Sequence, residues 1–268
     1  MTTRRGSWEL PISERELSSL TREMEQAHQE TLPAMRAGAR DLAEEIRAGR
    51  GSGRAADAGR RRFLLGAGGA TAALVLAACS SGAKSDSSVP PSGSPSASGG
   101  QYTGDLQVVA LATALENQAV VAYKATLDAA TAGKLGTVPP AVANFVTTAM
   151  AQHADHAKAW NAVLTGAGKP AITDVPLSNQ AQTLQALSAA TDVTTVAKLA
   201  LSLEDQAAQT YLFATYNVTS PAGIQTAASI APVEAMHAAI LNYVLGQYPV
   251  PDDFLPVDKA ASPSLLTV

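Results

Sequence analysis

The amino-acid sequence predicts an all-α protein whose main part is an antiparallel four-helix bundle. Between residues 105 and 246, four segments of about 25 residues show helical apolar spacing, and each is bounded by residues that start or stop helices. Alternation of apolar and polar residues, the mark of a half-buried strand, does not extend over any length of this region. Helices of that size are roughly 37 Å long, and four of them can bury an adequate core.

Capping residues mark the ends of the four predicted helices. Pro140 stands at the first turn of the second helix and Gly166 at its end, where proline and glycine are most common. Asp192 and Ser220 are the predicted N-caps of the third and fourth helices, and Gly246 ends the fourth. In chain order, the predicted helices cover residues 105–131, 139–165, 192–217 and 221–246.

A long connection separates the second helix from the third, and the chain repeats itself across it. Residues 166–191 are long enough to cross the length of a bundle, whereas the other two connections are short. The first helix contains LENQAVVAY and the third contains LEDQAAQTY, and the second and fourth each carry a histidine-centred motif. These similarities indicate two copies of a helical hairpin.

Charge divides the chain into two unlike parts. Residues 1–78 hold all 12 arginines and 10 acidic residues, whereas residues 79–268 hold seven lysines and 13 acidic residues. An acidic part without arginine is a poor binder of nucleic acid, which requires clustered cations against its phosphates. We therefore expect no nucleic-acid partner.

Residues 60–79, at the boundary between these parts, resemble a bacterial export signal. Arg60 and Arg61 begin an R-R-x-F-L motif that resembles a twin-arginine signal, and the L-A-A-C motif that ends at Cys79 resembles a lipobox. This resemblance implies an acylated cysteine that holds the protein at the outer face of the bacterial cytoplasmic membrane. The apolar run is shorter than the roughly 20 residues that span a bilayer, so an uncleaved N-terminal anchor is the less favoured alternative.

The segments around the signal and after the bundle differ in character. Residues 80–104 are rich in Ser, Gly and Pro and are expected to form a flexible linker, and residues 248–268 form a Pro-rich C-terminal tail. Residues 1–59 form a charged amphipathic region with two helical runs that Pro33 separates. We expect this region to be cytoplasmic or removed with the signal and assign it no function; a true start at Met24 or Met35 is an alternative.

Glutamates and histidines within apolar helices are the strongest functional signal. After Cys79 the chain has only three residues of each type, and each glutamate lies near the middle of a different predicted helix. A buried carboxylate must pair, become protonated or bind a metal ion, and this part of the chain has no arginine to pair with. The six candidate ligands are Glu116, His153, His156, Glu204, Glu234 and His237.

Glu234 and His237 form an E-x-x-H motif, whose two side chains lie about 60° apart around a helix and can reach one ion. Together with the single glutamates Glu116 and Glu204, this motif makes residues 105–246 resemble the ferritin-like carboxylate-bridged dimetal proteins. In those proteins two helices give one glutamate each and the other two give Glu-x-x-His each. The resemblance implies a ferritin-like four-helix bundle with a long crossover between helices two and three.

The second helix departs from this pattern. His156 matches the family histidine, but His153 stands where the family has a glutamate. Three carboxylates do not balance two divalent cations, so the site is expected to hold either one ion or two ions with an additional bridging anion. The extra imidazole favours Zn, Cu, Fe or Ni over harder ions.

The resemblance implies one or two iron ions, with manganese or zinc as alternatives, and redox chemistry with oxygen or peroxide such as ferrous oxidation. Tyr123 and Tyr211 follow their glutamates by seven residues on the same face, so they are candidates to contact the ligands; large core residues are the alternative reading. No catalytic residue is assigned. A metal-free or metal-stabilised scaffold is the alternative function, and a storage cage is disfavoured because a tethered chain with a Pro-rich tail would not assemble easily into a closed shell.

Overall fold

The computed structural model describes residues 10–49, 101–251 and 256–268. Arg60, Arg61, Cys79 and nearly all of the predicted linker lie outside these ranges. The described residues form six α-helices and no β-strand, so this part of the chain is all-α as predicted. The helices are α1 (Glu14–Arg47), α2 (Asp105–Thr131), α3 (Pro140–Gly166), α4 (Gln180–Ala189), α5 (Val193–Asn217) and α6 (Pro221–Val244), followed by a short 3-10 helix, Pro263–Leu265.

The four predicted helices are α2, α3, α5 and α6, and their ends follow the capping residues. The Asp192 side chain accepts the Thr195 amide at 2.8 Å, and Ser220 Oγ accepts two amides of the first turn of α6. Gly246 has a φ of +71° just beyond α6, a backbone conformation that glycine adopts without steric cost. Local capping chemistry therefore determines where α5 begins and where α6 begins and ends.

Helix α1 runs without interruption through Pro33, so the predicted break at that residue is wrong. A proline removes one backbone hydrogen bond from a helix interior, but tertiary packing on both sides of this position offsets that cost. Ser13 starts the helix with a capping box, in which Ser13 Oγ accepts the Glu16 amide and Glu16 accepts the Ser13 amide.

Helix α1 lies against both α3 and α6. At one end the Ala141 amide donates to Glu14, and at the other the Arg47 guanidinium donates to the Gly166 carbonyl at 2.7 Å. These contacts join like ends, so α1 runs parallel to α3. A Cβ atom on Gly38 would lie 2.5 Å from Thr226 Oγ1, which shows that α1 and α6 approach each other closely.

The buried face of α1 is a stripe with helical spacing that includes two polar residues. Thr21 and His28 are each 1% exposed and lie in line with apolar neighbours. The Thr21 hydroxyl donates to the Leu17 carbonyl of its own helix, whereas His28 reaches the centre of the molecule. The apolar members of the stripe are Leu17, Met24, Leu32, Met35, Ala39 and Leu42.

Two apolar clusters fill the two ends of the helical core. One cluster contains Trp160, Ile230 and Leu42, and the other contains Phe145, Leu241 and Met24. Along α1, α3 and α6, the residues between these clusters include the buried polar side chains. The fold therefore encloses a polar layer between two apolar ones.

The C-terminal residues 256–268 pack against the helices. Thr210 Oγ1 accepts the Ala261 amide at 2.8 Å, and the Pro176 carbonyl accepts the Thr267 amide at 2.9 Å. The tail therefore ties α5 to the segment that precedes α4. Among the described residues, none of the helices combines the length and apolar character that crossing a bilayer requires.

Candidate metal centre

All six predicted ligand residues meet in the polar layer. Helix α2 provides Glu116, α3 provides both His153 and His156, α5 provides Glu204, and α6 provides the remaining two. None of the six side chains is more than 2% exposed. Their donor atoms form two groups of four in which all atoms lie within 4.8 Å of one another. The groups are Glu116, His153, His156 and Glu234, and His153, Glu204, Glu234 and His237.

The first group surrounds Nδ1 of His153. That atom lies 2.7 Å from Glu116 Oε2 and 3.7 Å from Glu234 Oε1. Nδ1 of His156 lies 2.8 Å from Glu234 Oε1 and 3.5 Å from Glu116 Oε1. Donors that bind one ion at about 2.1 Å in a tetrahedron are about 3.4 Å apart, so the spacing fits a single ion.

The second group lies on the other side of the same imidazole. Nε2 of His153 is 3.1 Å from Glu204 Oε1, and Nδ1 of His237 is 3.2 Å from Glu204 Oε2. Glu234 takes part through its second oxygen, since Oε2 lies 3.4 Å from His237 Nδ1. His153 and Glu234 thus present one donor atom to each group.

Glu234 differs from the other two carboxylates of the layer, which accept hydrogen bonds from the tyrosines and from His153. It is fully buried, and neither of its oxygens forms a hydrogen bond with any described residue, although three imidazole nitrogens lie close by. The two ring nitrogens of His156 are likewise without a hydrogen bond in the described part of the chain. A buried carboxylate without hydrogen bonds is disfavoured even beside ion-pair partners, and a cation at these donors would coordinate its oxygens.

The two tyrosines contact the centre reciprocally. The Tyr123 hydroxyl of α2 donates to Glu204 of α5, and the Tyr211 hydroxyl of α5 donates to Glu116 of α2. Burial, followed by the nearby carboxylates, raises the pKa of both tyrosines well above the usual value, which keeps their hydroxyl groups protonated. Tyr211 also accepts the Trp160 indole N–H at 2.8 Å. Both tyrosines therefore orient carboxylates, as one of the two sequence interpretations expected.

Without metal, the layer is stabilised by ion pairs. Burial acts to raise the pKa of Glu116, but His156 and His153 outweigh it and lower that pKa to about 2. Burial acts to lower the pKa of His156, but Glu116 and Glu234 outweigh it and raise that pKa to about 9. Burial likewise acts to raise the pKa of Glu204, but His153 and His237 outweigh it and lower that pKa. Burial acts to lower the pKa values of His153 and His237, but the nearby glutamates outweigh it and raise both.

Two residues that the sequence interpretation did not identify contact the ligands, and Asp155 lies beside them. Gln152 of α3 accepts a hydrogen bond from His237 Nε2 at its Oε1 over 2.7 Å, and its amide nitrogen donates to Glu25 of α1. His28 of α1 lies edge-on to His156, with ring centroids 5.2 Å apart. Asp155 points toward α1, where it lies 3.5 Å from both His28 and Arg36. His28 follows the helical spacing of the buried stripe of α1, and this spacing could have identified it as buried. A search for apolar residues alone passes over it because it is polar.

A small cavity reaches the centre between α2 and α5. Its volume is about 20 Å³, and its walls include Glu116, His153, Gln206 and Tyr211. A space of that size holds roughly one water molecule. Only small molecules therefore fit beside the ligand residues.

A family model described as a ferritin-like domain matches residues 98–247. All six ligand candidates lie within this match. The chain belongs to the ferritin-like domain family. Comparison with curated proteins and with solved structures gave no match. The ferritin-like domain includes α2 to α6, whereas α1 lies outside the matched residues.

The stability of the metal-free protein should be greatest between about pH 4.5 and 6.5. The lowered pKa values of Glu116 and Glu204 stabilise the fold above the unfolded value of 4.5, and this contribution is lost as the pH falls toward about 2. The raised pKa of His156 stabilises the fold below the unfolded value of 6.5, and this contribution is lost as the pH rises toward about 9.

Urea unfolding in the presence of a chelator, followed by circular dichroism from pH 3 to 9, measures this dependence. A free energy of unfolding that increased steadily from pH 6.5 to 9 would contradict the ion-paired arrangement. A chain with His156→Gln should lose less stability over that upper range, because the titrating imidazole is absent.

Proposed function

We propose that this ferritin-like domain protein binds one or two metal ions, with iron as the principal candidate, and uses them in redox chemistry with oxygen or peroxide. The observation that carries the proposal is the fully buried Glu234 carboxylate, which forms no hydrogen bond with the described residues although three imidazole nitrogens lie within 3.7 Å. The donor set of three carboxylates and three imidazoles suits iron, and also zinc. Manganese, a harder ion, suits it less well.

We also propose the four-helix framework that the family resemblance implies. Helices α2, α3, α5 and α6 would form the antiparallel bundle, and residues 167–192, which include α4, would form the long crossover. In support, each of the four helices contributes to the centre, and α2 packs on α3 as α5 packs on α6.

The residues around the centre suit redox chemistry. Iron held there would alternate between ferrous and ferric states, with dioxygen or peroxide taking the electrons. Tyr123 and Tyr211 hold the carboxylates through hydrogen bonds, the cavity beside Glu116 admits only small molecules, and burial excludes bulk water. These features favour ferrous oxidation or peroxide detoxification over chemistry on a large substrate.

A full site would hold two ions, one at each group of donors. His153 faces both groups through different ring nitrogens, so a deprotonated ring bound at both would add one negative charge to the three carboxylates. The resulting ligand charge of −4 would balance two divalent cations. In this arrangement His153, which stands where the family pattern has a glutamate, would supply the fourth negative charge.

The alternative function, a metal-free structural lipoprotein, also has support in the geometry. Three imidazolium groups and three carboxylates neutralise one another, and His153 joins Glu116 and Glu204 through hydrogen bonds of 2.7 and 3.1 Å. This network stabilises a folded core without any ion. It leaves Glu234 without a hydrogen bond, which is why we favour the metal-binding function.

We further propose that the protein is exported and anchored by lipid on Cys79 at the outer face of the cytoplasmic membrane. The R-R-x-F-L and L-A-A-C motifs support this proposal. A twin-arginine route carries folded proteins, which suits a centre that is filled before export.

The number of bound ions should depend on which donor is removed. His237 belongs to one group, so His237→Ala should reduce two bound ions to one, whereas Glu234→Ala removes a donor from both groups and should abolish tight binding. Elemental analysis of the full chain after anaerobic loading with ferrous iron, together with the rate of ferrous oxidation, measures both effects.

Asp205→Asn is a matched control, because this carboxylate follows Glu204 directly but pairs with Lys259 instead of the centre. It should bind as much metal as the unmodified chain. Only trace metal in the unmodified chain under every loading condition, with no change in melting temperature, would favour the metal-free function.

The bridging role of His153 can be read directly from its two ring nitrogens. In protein with isotopically labelled histidine and a magnetically active cadmium isotope, both nitrogens of His153 should show coupling to cadmium in nuclear magnetic resonance spectra. His156 and His237 should show coupling at Nδ1 alone, and His153→Gln assigns the signals. Coupling at a single nitrogen of His153 would contradict the bridge.

Export and lipidation are tested in bacterial cells. Cys79→Ser should abolish incorporation of labelled fatty acid, and joint replacement of Arg60 and Arg61 by lysine should retain the chain in the cytoplasm. Ser81→Ala, which leaves the lipobox intact, serves as the control. Equal labelling of the Cys79→Ser chain would rule out lipid attachment at this residue.

A further inference from the structure

A continuous series of hydrogen bonds leads from the metal centre to α1. Nδ1 of His237 faces the carboxylates, and its Nε2 lies 2.7 Å from Oε1 of Gln152. The Gln152 amide nitrogen donates to Oε2 of Glu25 at 2.7 Å. The other oxygen of Glu25 accepts from Gln29 at 2.7 Å, which holds the carboxylate in place on α1.

The order of donors and acceptors in this series fixes the proton on His237. A carboxylate only accepts hydrogen bonds, so Glu25 binds the amide nitrogen of Gln152 and turns the amide oxygen toward the imidazole. That oxygen requires an N–H donor, so Nε2 keeps its proton. Nδ1 is then the nitrogen that offers its lone pair to an ion.

We propose that α1 is a working part of the metal centre and that Glu25 is a positioning residue, which acts on His237 through Gln152. The inference rests on the proposed metal-binding function. Histidines that bind metals commonly donate their second ring N–H to a carboxylate or carbonyl oxygen, and loss of that partner weakens binding about 10- to 100-fold. Here the carboxylate comes from a helix outside the matched ferritin-like domain.

The position of α1 beside His156 also supports a role for α1 in the metal centre. His28 covers His156 on the side of α1 and is itself 1% exposed. Gln152, which lies between His237 and Glu25, is also 1% exposed. Helix α1 therefore closes the centre on the side that α3 and α6 leave open.

Metal affinity of full-length variants tests this role. Glu25→Ala should weaken cobalt or zinc binding about 10-fold or more in competition with a coloured chelator. Glu25→Gln retains an acceptor oxygen and should restore most of the affinity. Glu30→Ala is the matched control, because Glu30 is an exposed glutamate of the same helix that bonds only to Gln26 among the described residues.

Two further measurements separate positioning from simple packing. The double variant with Glu25→Ala and Gln152→Ala should bind no more weakly than Gln152→Ala alone, because the two residues act in series on His237. Ring-nitrogen chemical shifts of the zinc-loaded protein should show Nε2–H on His237 in the unmodified chain, and a mixture of tautomers in Glu25→Ala.

The outcomes distinguish this inference from the function on which it rests. Equal affinity in Glu25→Ala and Glu30→Ala, or an unchanged His237 tautomer in Glu25→Ala, would overturn the positioning role while metal binding stood. Failure of the unmodified chain to bind metal would overturn both. Melting curves of the metal-free variants establish that each one is folded.

Discussion

The structure depends on enclosing three carboxylates and three imidazoles between two apolar clusters. Taking charged groups out of water is costly unless partners surround them, so every neighbouring element must supply a donor or acceptor at a fixed place. The tyrosines of α2 and α5 and the amide of Gln152 meet this need. Glu234 is the exception, because it forms no hydrogen bond with the described residues, and a cation among these donors would coordinate its oxygens.

The internal repeat explains the shape of this layer. The first hairpin gives Glu116 and His156 to one group of donors, and the second hairpin gives Glu204 and His237 to the other. The shared residues, His153 and Glu234, occupy equivalent places in the two histidine-centred motifs. The two groups of donors are therefore nearly symmetrical and share one imidazole and one carboxylate. They are unequal because His153 holds the place in the first hairpin that Glu234 holds in the second.

Helix α1 connects the structure to the proposed route of export. The proposed cleavage at Cys79 lies between α1 and the ferritin-like domain, so it would cut the covalent link between Glu25 and the centre that this residue supports. Before cleavage, α1 covers the buried faces of α3 and α6 and supplies Glu25 and His28. The proposed positioning role therefore belongs first to the intact chain.

The sequence alone determined four of the five helices of the matched domain, all but α4, and its six candidate ligands. Caps such as Asp192 and Ser220 act on adjacent residues, and the spacing of Glu234 and His237 places both on one helical face, so local chemistry suffices for these features. Only the tertiary structure decided that α1 packs on the domain, that His153 faces two groups of donors and that Gln152 joins His237 to Glu25. These features depend on contacts between residues far apart in the chain, 127 positions in the case of Glu25 and Gln152. No local pattern distinguishes such a glutamate or glutamine from one exposed to solvent.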